Sequence, residues 1–125
     1  MVQAKRIDDK NGLIVQLPLA SFWGTDQDYE YRNKVVAAFD RLFQQHNCGV
    51  FDGTDIGEGK TNLFIYEIAD QDFDKAVSLV LAELDRQKML DTAIVARTVA
   101  VGDPDGPWAE HTVVWPKNLQ EEFRV

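Results

Sequence analysis

Phe73-Asp74-Lys75-Ala76-Val77-Ser78-Leu79-Val80-Leu81-Ala82-Glu83-Leu84 sets six apolar residues at i, i+3, i+4, i+7, i+8 and i+11: Phe73, Ala76, Val77, Val80, Leu81 and Leu84. That spacing puts them on one face of an α-helix, since side chains three and four apart stack on the same side. Asp70, just upstream, offers a carboxylate to the free amides of the first turn, and is expected to cap the helix. A helix with one apolar stripe needs a second layer to bury it. The flanking sequence is therefore expected to supply strands.

Downstream, Thr92 to Val101 is rich in β-branched residues and reads as a strand. Asp103-Pro104-Asp105-Gly106-Pro107 is a turn, because proline fixes φ and glycine accepts positive φ. His111 to Trp115 then reads as a further strand returning beside the last. Upstream, Val50 to Tyr66 reads as a hairpin: a short strand, a glycine-rich turn at Gly57-Glu58-Gly59-Lys60, then Leu63 to Tyr66. Before it, Val35, Val36, Phe39, Leu42 and Phe43 mark a helix over about residues 26–46. Thr25 and Asp28 give its start signal, and His46-Asn47-Cys48-Gly49 its stop. Leu13, Val15, Leu17 and Leu19 alternate as in a half-buried strand, with Pro18 marking an edge or the end of pairing. The order predicts one α+β domain over residues 1–125, a ferredoxin-like βαββαβ sandwich. Its antiparallel sheet carries both helices on one face and an extra C-terminal strand.

The 125 residues suffice for one substantial core. Thirteen basic residues against 21 acidic ones give a net charge of −8. A field of that sign repels phosphate backbones and anionic lipid, and favours a cationic protein partner. Nucleic acid and membrane are accordingly not expected as partners, and no apolar run is long enough to span a bilayer. The polar start, Met1 to Lys10, lacks the apolar stretch of a secretion signal, which makes the cytoplasm the expected location. The lone Cys48 provides neither a disulfide framework nor a multi-cysteine metal site.

Several motifs come near to chemistry without reaching it. Gly57-Glu58-Gly59-Lys60-Thr61 imitates the end of a phosphate-binding loop, but the glycine spacing fails and a strand follows where a helix is needed. Lys60 to Tyr66 resembles the third strand of an RNA-recognition sheet, yet Thr61 and Asn62 replace its glycine and one stacking ring. Asp52, Asp55 and Glu58 surround the hairpin turn, but their spacing of three is not that of a calcium loop. Cys48 would need a histidine in reach to form its thiolate, and His46 sits at a helix end. His111 has no second ligand at metal spacing. Arg97 interrupts the phase Ala93, Val95, Val99, Val101, so it is either paired on the core side or free on the other face.

The hairpin Val50-Phe51-Asp52-Gly53-Thr54-Asp55-Ile56-Gly57-Glu58-Gly59-Lys60-Thr61-Asn62-Leu63-Phe64-Ile65-Tyr66 resembles that of a family of small, uncharacterised bacterial proteins. Their mark is a Phe-Asp-Gly, Gly-x-Gly, aromatic-strand hairpin, followed by a helix opening with Asp. The resemblance covers about residues 47–106; Lys60-Thr61 at the turn exit and a Trp-containing tail depart from it. It implies a ferredoxin-like fold and supplies no catalytic residue.

These readings lead to a non-enzymatic interaction module with no cofactor. Asp52, Asp55, Glu58 and Arg97 are its candidate partner-binding residues, and an immunity-type protein opposing a cationic toxin is one concrete form. A small-ligand regulatory domain is the alternative, with Phe64, Tyr66, Trp108 and Trp115 lining an uncovered sheet face or a homodimer cleft. An enzyme would require Asp52, Asp55, Glu58 or His111 to converge on a pocket.

Overall fold

In the computed structural model, which describes residues 11–20, 22–100, 109–119 and 123, β1 (Gly12–Pro18) lies at the centre of an antiparallel sheet. β3 (Lys60–Tyr66) and β4 (Ile94–Ala100) flank it; β2 (Val50–Gly57) and β5 (Ala109–Trp115) form the edges. The order among the described residues is β2-β3-β1-β4-β5. α1 (Asp26–His46) joins β1 to β2, and α2 (Phe73–Arg86) joins β3 to β4. This α+β arrangement is compatible with a ferredoxin-like fold. It differs from the four-stranded pattern in count and in full order, because β5 adds a strand beside β4. The central place of β1 means that Pro18 ends the strand rather than marking an edge. Gly12 opens it, where a Cβ would come within 1.8 Å of the Ile65 carbonyl oxygen.

Thr25 and Asp28 start α1 by a reciprocal capping box. The Asp28 amide donates to Thr25 Oγ1 (3.1 Å), and the Thr25 amide donates to Asp28 Oδ2 (2.9 Å). Asp28 Oδ1 also accepts from the Ala20 amide (2.9 Å), so one buried carboxylate ties the preceding loop to the helix. The helix stops where Asn47 turns left-handed (φ 51°) and its amide donates to the Phe43 carbonyl. α2 begins differently. A 3-10 turn over Asp70–Asp72 leads into it, and no side chain caps its first amides. The expectation that Asp70 caps this helix is thus corrected: its carboxylate meets Arg97 instead.

Both helices cover the sheet face bearing Leu13, Val15, Leu17, Leu63, Ile65 and Val95. Val35, Phe39 and Phe43 from α1, with Phe73, Ala76, Val80 and Leu84 from α2, complete that core. Each of these side chains larger than alanine contributes about 1.5–3 kcal/mol by leaving water. Val77 and Leu81, expected in the same stripe, flank it half-buried. The other face is not an uncovered platform. Ile14, Gln16, Asn62, Ala96 and Thr98 at its centre are all buried. The Asp103 to Pro107 turn, Trp108 and the Met1 to Lys10 segment lie outside the described residues.

Candidate functional site

The hairpin turn is built from two left-handed residues, Glu58 (φ 56°) and Gly59 (φ 77°), the pairing that suits a two-residue connection between twisted strands. It is also clasped from outside. The Gly59 amide donates to the Phe22 carbonyl (2.9 Å), and the Leu19 amide donates to the Gly59 carbonyl (2.8 Å). The turn therefore does not stand out alone as an adaptable loop. It is one wall of a surface shared with residues 19–24.

The three hairpin acids have separate settings. Asp55 Oδ1 accepts from the Asn62 amide (3.2 Å) and from Asn62 Nδ2 (2.9 Å), and Gln16 Nε2 donates to Asn62 Oδ1 (3.0 Å). A polar rung from β1 through β3 thereby fixes the direction of an exposed carboxylate on the β2 edge. Asp55 and Glu58, with Lys60 and Asn62, line a hollow of about 190 Å³ at the turn. Asp52 lies apart from them. It is the extra residue where the β2–β3 register shifts between Phe51 and Gly53, and its charge joins burial in pushing the Tyr66 hydroxyl pKa up. Among the described residues no three His, Cys, Asp or Glu side chains gather as a metal would need. The Gly57 to Thr61 backbone runs into β3, so its amides do not form the helix start that a phosphate loop requires.

Beside the turn stands a feature that the sequence reasoning passed over. Trp23 is 71% exposed and Phe22 54%, their rings edge-on at 4.7 Å. Gly24 (φ 91°) packs next to Ile56 of the hairpin and the exposed ring of Tyr29, over which the Arg32 guanidinium lies at 5.0 Å. Arg32 also donates to Thr54 Oγ1 (3.1 Å), which joins α1 to β2. The available signal was two adjacent large rings outside any periodic segment, just before a strong helix cap.

Arg97 lies at the opposite end of the sheet, on the helix-covered side opposite Leu13. Its guanidinium lies 3.9 Å from the Phe73 ring centre, and Nη2 donates to Asp70 Oδ1 (3.3 Å). It is paired, and it braces the start of α2. Cys48 is buried, which pushes its thiol pKa up and away from the reactive thiolate. His111 meets the Phe123 ring at 5.7 Å, and desolvation holds its pKa below the ordinary histidine value. Phe64 and Tyr66 stack at 6.1 Å, but Trp115 does not join them. The β4–β5 register shifts between Val95 and Ala96, so Trp115 pairs with Val95, packs against the core and donates Nε1–H to the Leu90 carbonyl (3.0 Å). The expectation that Trp115 lines one sheet face with Phe64 and Tyr66 is corrected accordingly, and Trp108 lies outside the described residues. No helix among the described residues is long and apolar enough to cross a membrane. No protein-family model, curated protein or solved structure matches this chain.

Proposed function

We propose that this chain is an acidic interaction module on a ferredoxin-like frame, docking a cationic protein through Phe22, Trp23, Asp55 and Glu58. The observation that carries the reading is the exposure of Trp23 and Phe22 in a loop hydrogen-bonded to the hairpin turn. Large exposed rings held in fixed geometry contribute binding area at little entropic cost, and tryptophan is enriched among residues that dominate interfaces. Asp55 and Glu58, on the hairpin to which that loop is hydrogen-bonded, supply the polar rim, and the net charge of −8 steers a basic partner toward the molecule. An immunity-type protein opposing a basic toxin is one form that this chemistry suits. Asp52 and Arg97 stand outside the proposed surface, the first at the β2 bulge and the second bound to Asp70. The rival small-ligand reading keeps only the Phe64–Tyr66 stack, and no reaction is proposed.

The test captures basic proteins on the immobilised chain and follows their kinetics at two salt concentrations. The expected partner is released by salt. Trp23→Ala should speed its dissociation, whereas the double variant Asp55→Asn, Glu58→Gln should slow its association. A partner indifferent to salt and to both variants would remove this reading.

A further inference from the structure

In a chain of net charge −8, one groove carries the opposite sign. It runs between the flank of α1 and the C-terminal end of α2, with a volume of about 720 Å³. That volume falls within the range of about 300–1,000 Å³ usual for small-molecule sites. Lys34 and Arg41 line it seven residues apart on α1, two helical turns along one face, and Arg86 faces them from α2. Against these three cations the lining holds, among the described residues, a single carboxylate, Glu30, so their formal charge is +3 − 1 = +2.

The cationic wall is pre-arranged. Glu83 lies behind it, 8% exposed, and the adjacent Arg86 grips both its carboxylate oxygens, Nε donating to Oε1 at 3.1 Å. Gln87 Nε2 donates to Oε2 at 2.7 Å. The Arg86 hydrogen bond, ahead of that from Gln87 and the charge of Arg41, holds the Glu83 pKa below the ordinary glutamate value despite burial. Glu83 thus stays ionised and fixes Arg86 and Gln87 in place. Even with its charge counted, the neighbourhood remains at +2 − 1 = +1. The floor is of another character: Ala37, Ala38 and Met89 leave room and present apolar surface.

We infer that this groove binds an organic dianion, its phosphate or dicarboxylate head held by Lys34, Arg41 and Arg86 and its apolar body lying on Ala37, Ala38 and Met89. Guanidinium groups match both heads by paired hydrogen bonds, and a lysine adds a point charge. The overall negative field opposes the approach of any anion, so selection comes from contacts inside the groove. This site lies on residues separate from the proposed docking surface and goes beyond that reading.

Titration calorimetry of the whole chain with phenyl phosphate and with phthalate tests it and distinguishes the two heads. At least one should bind saturably with one-to-one stoichiometry. Arg41→Gln should weaken that binding about tenfold, the loss of one charge-assisted contact. Lys34→Gln should also weaken it, while Trp23→Ala leaves it unchanged. Absence of saturable binding by both probes would overturn the proposal. So would affinity that survives Arg41→Gln and Lys34→Gln together, or that disappears in Trp23→Ala.

Discussion

α1 and α2 lie on the same face of one sheet, both bury an apolar stripe in its core, and they differ at their ends. α1 packs Val35, Phe39 and Phe43 into the core and is also fixed at its ends, by a reciprocal cap at Thr25 and Asp28 and by a left-handed stop at Asn47. α2 has no side-chain cap and is fixed along its length, by Phe73, Ala76, Val80 and Leu84 against the core. The difference shows where surface for other purposes can exist. The longer α1 keeps an exposed flank beside its stripe, which borders both the aromatic surface at Tyr29 and the cationic groove at Lys34 and Arg41. The stripes of both helices are committed to folding.

The strongest way to break this contrast is Val80→Asp. A fully buried, unpaired carboxylate in the middle of α2 should cost more than about 4 kcal/mol, read as loss of the cooperative transition in urea. A folded variant of near-normal stability would show that the stripe does not hold α2. Asp28→Ala comes next. It frees the Ala20 and Thr25 amides together, and urea midpoints should report a loss of about 2 kcal/mol. Asp70→Ala sharpens the comparison from the other side. If α2 needs no cap, losing an exposed carboxylate paired only at the surface should change stability by less than about 0.5 kcal/mol. The effect of Glu83→Gln depends on pH. Because the folded pKa of Glu83 is lowered, its contribution is complete above the ordinary glutamate value and disappears as pH falls through the lowered one. The variant should be less stable than the parent at neutral pH and converge with it in acid, as thermal melts at several pH values would show.

The elements that announced themselves were those whose signals are local. The α2 stripe and the Thr25–Asp28 pair each lie within a few turns of chain, and α1 occupies residues 26–46 as its signals indicate. Asp70 misled because its partner, Arg97, is 27 residues away and meets it only once β4 is in the sheet. Trp115 was expected beside Phe64 and Tyr66, a place that strict alternation from His111 and Val113 would give it. The shift of register at Val95 and Ala96 reverses that assignment, and composition does not encode such a shift. At the candidate site, Asp55 and Glu58 were legible as acids beside a turn. What aims Asp55 was not, since the rung through Asn62 to Gln16 depends on strand register. Phe22 and Trp23 fit no periodic pattern, so neither helical nor strand spacing marks them.

The clasp between Gly59 and the loop at Leu19 and Phe22 makes display conditional on folding. Its two halves are some forty residues apart, and neither loop has the other's hydrogen bonds until β1 and β3 have met. A partner seated on Phe22 and Trp23 therefore reads only native molecules and stabilises the native state by mass action, in proportion to RT ln(1 + [L]/Kd). For such a partner the surface works as a checkpoint: unfolded chains, though they carry the same tryptophan, compete for nothing.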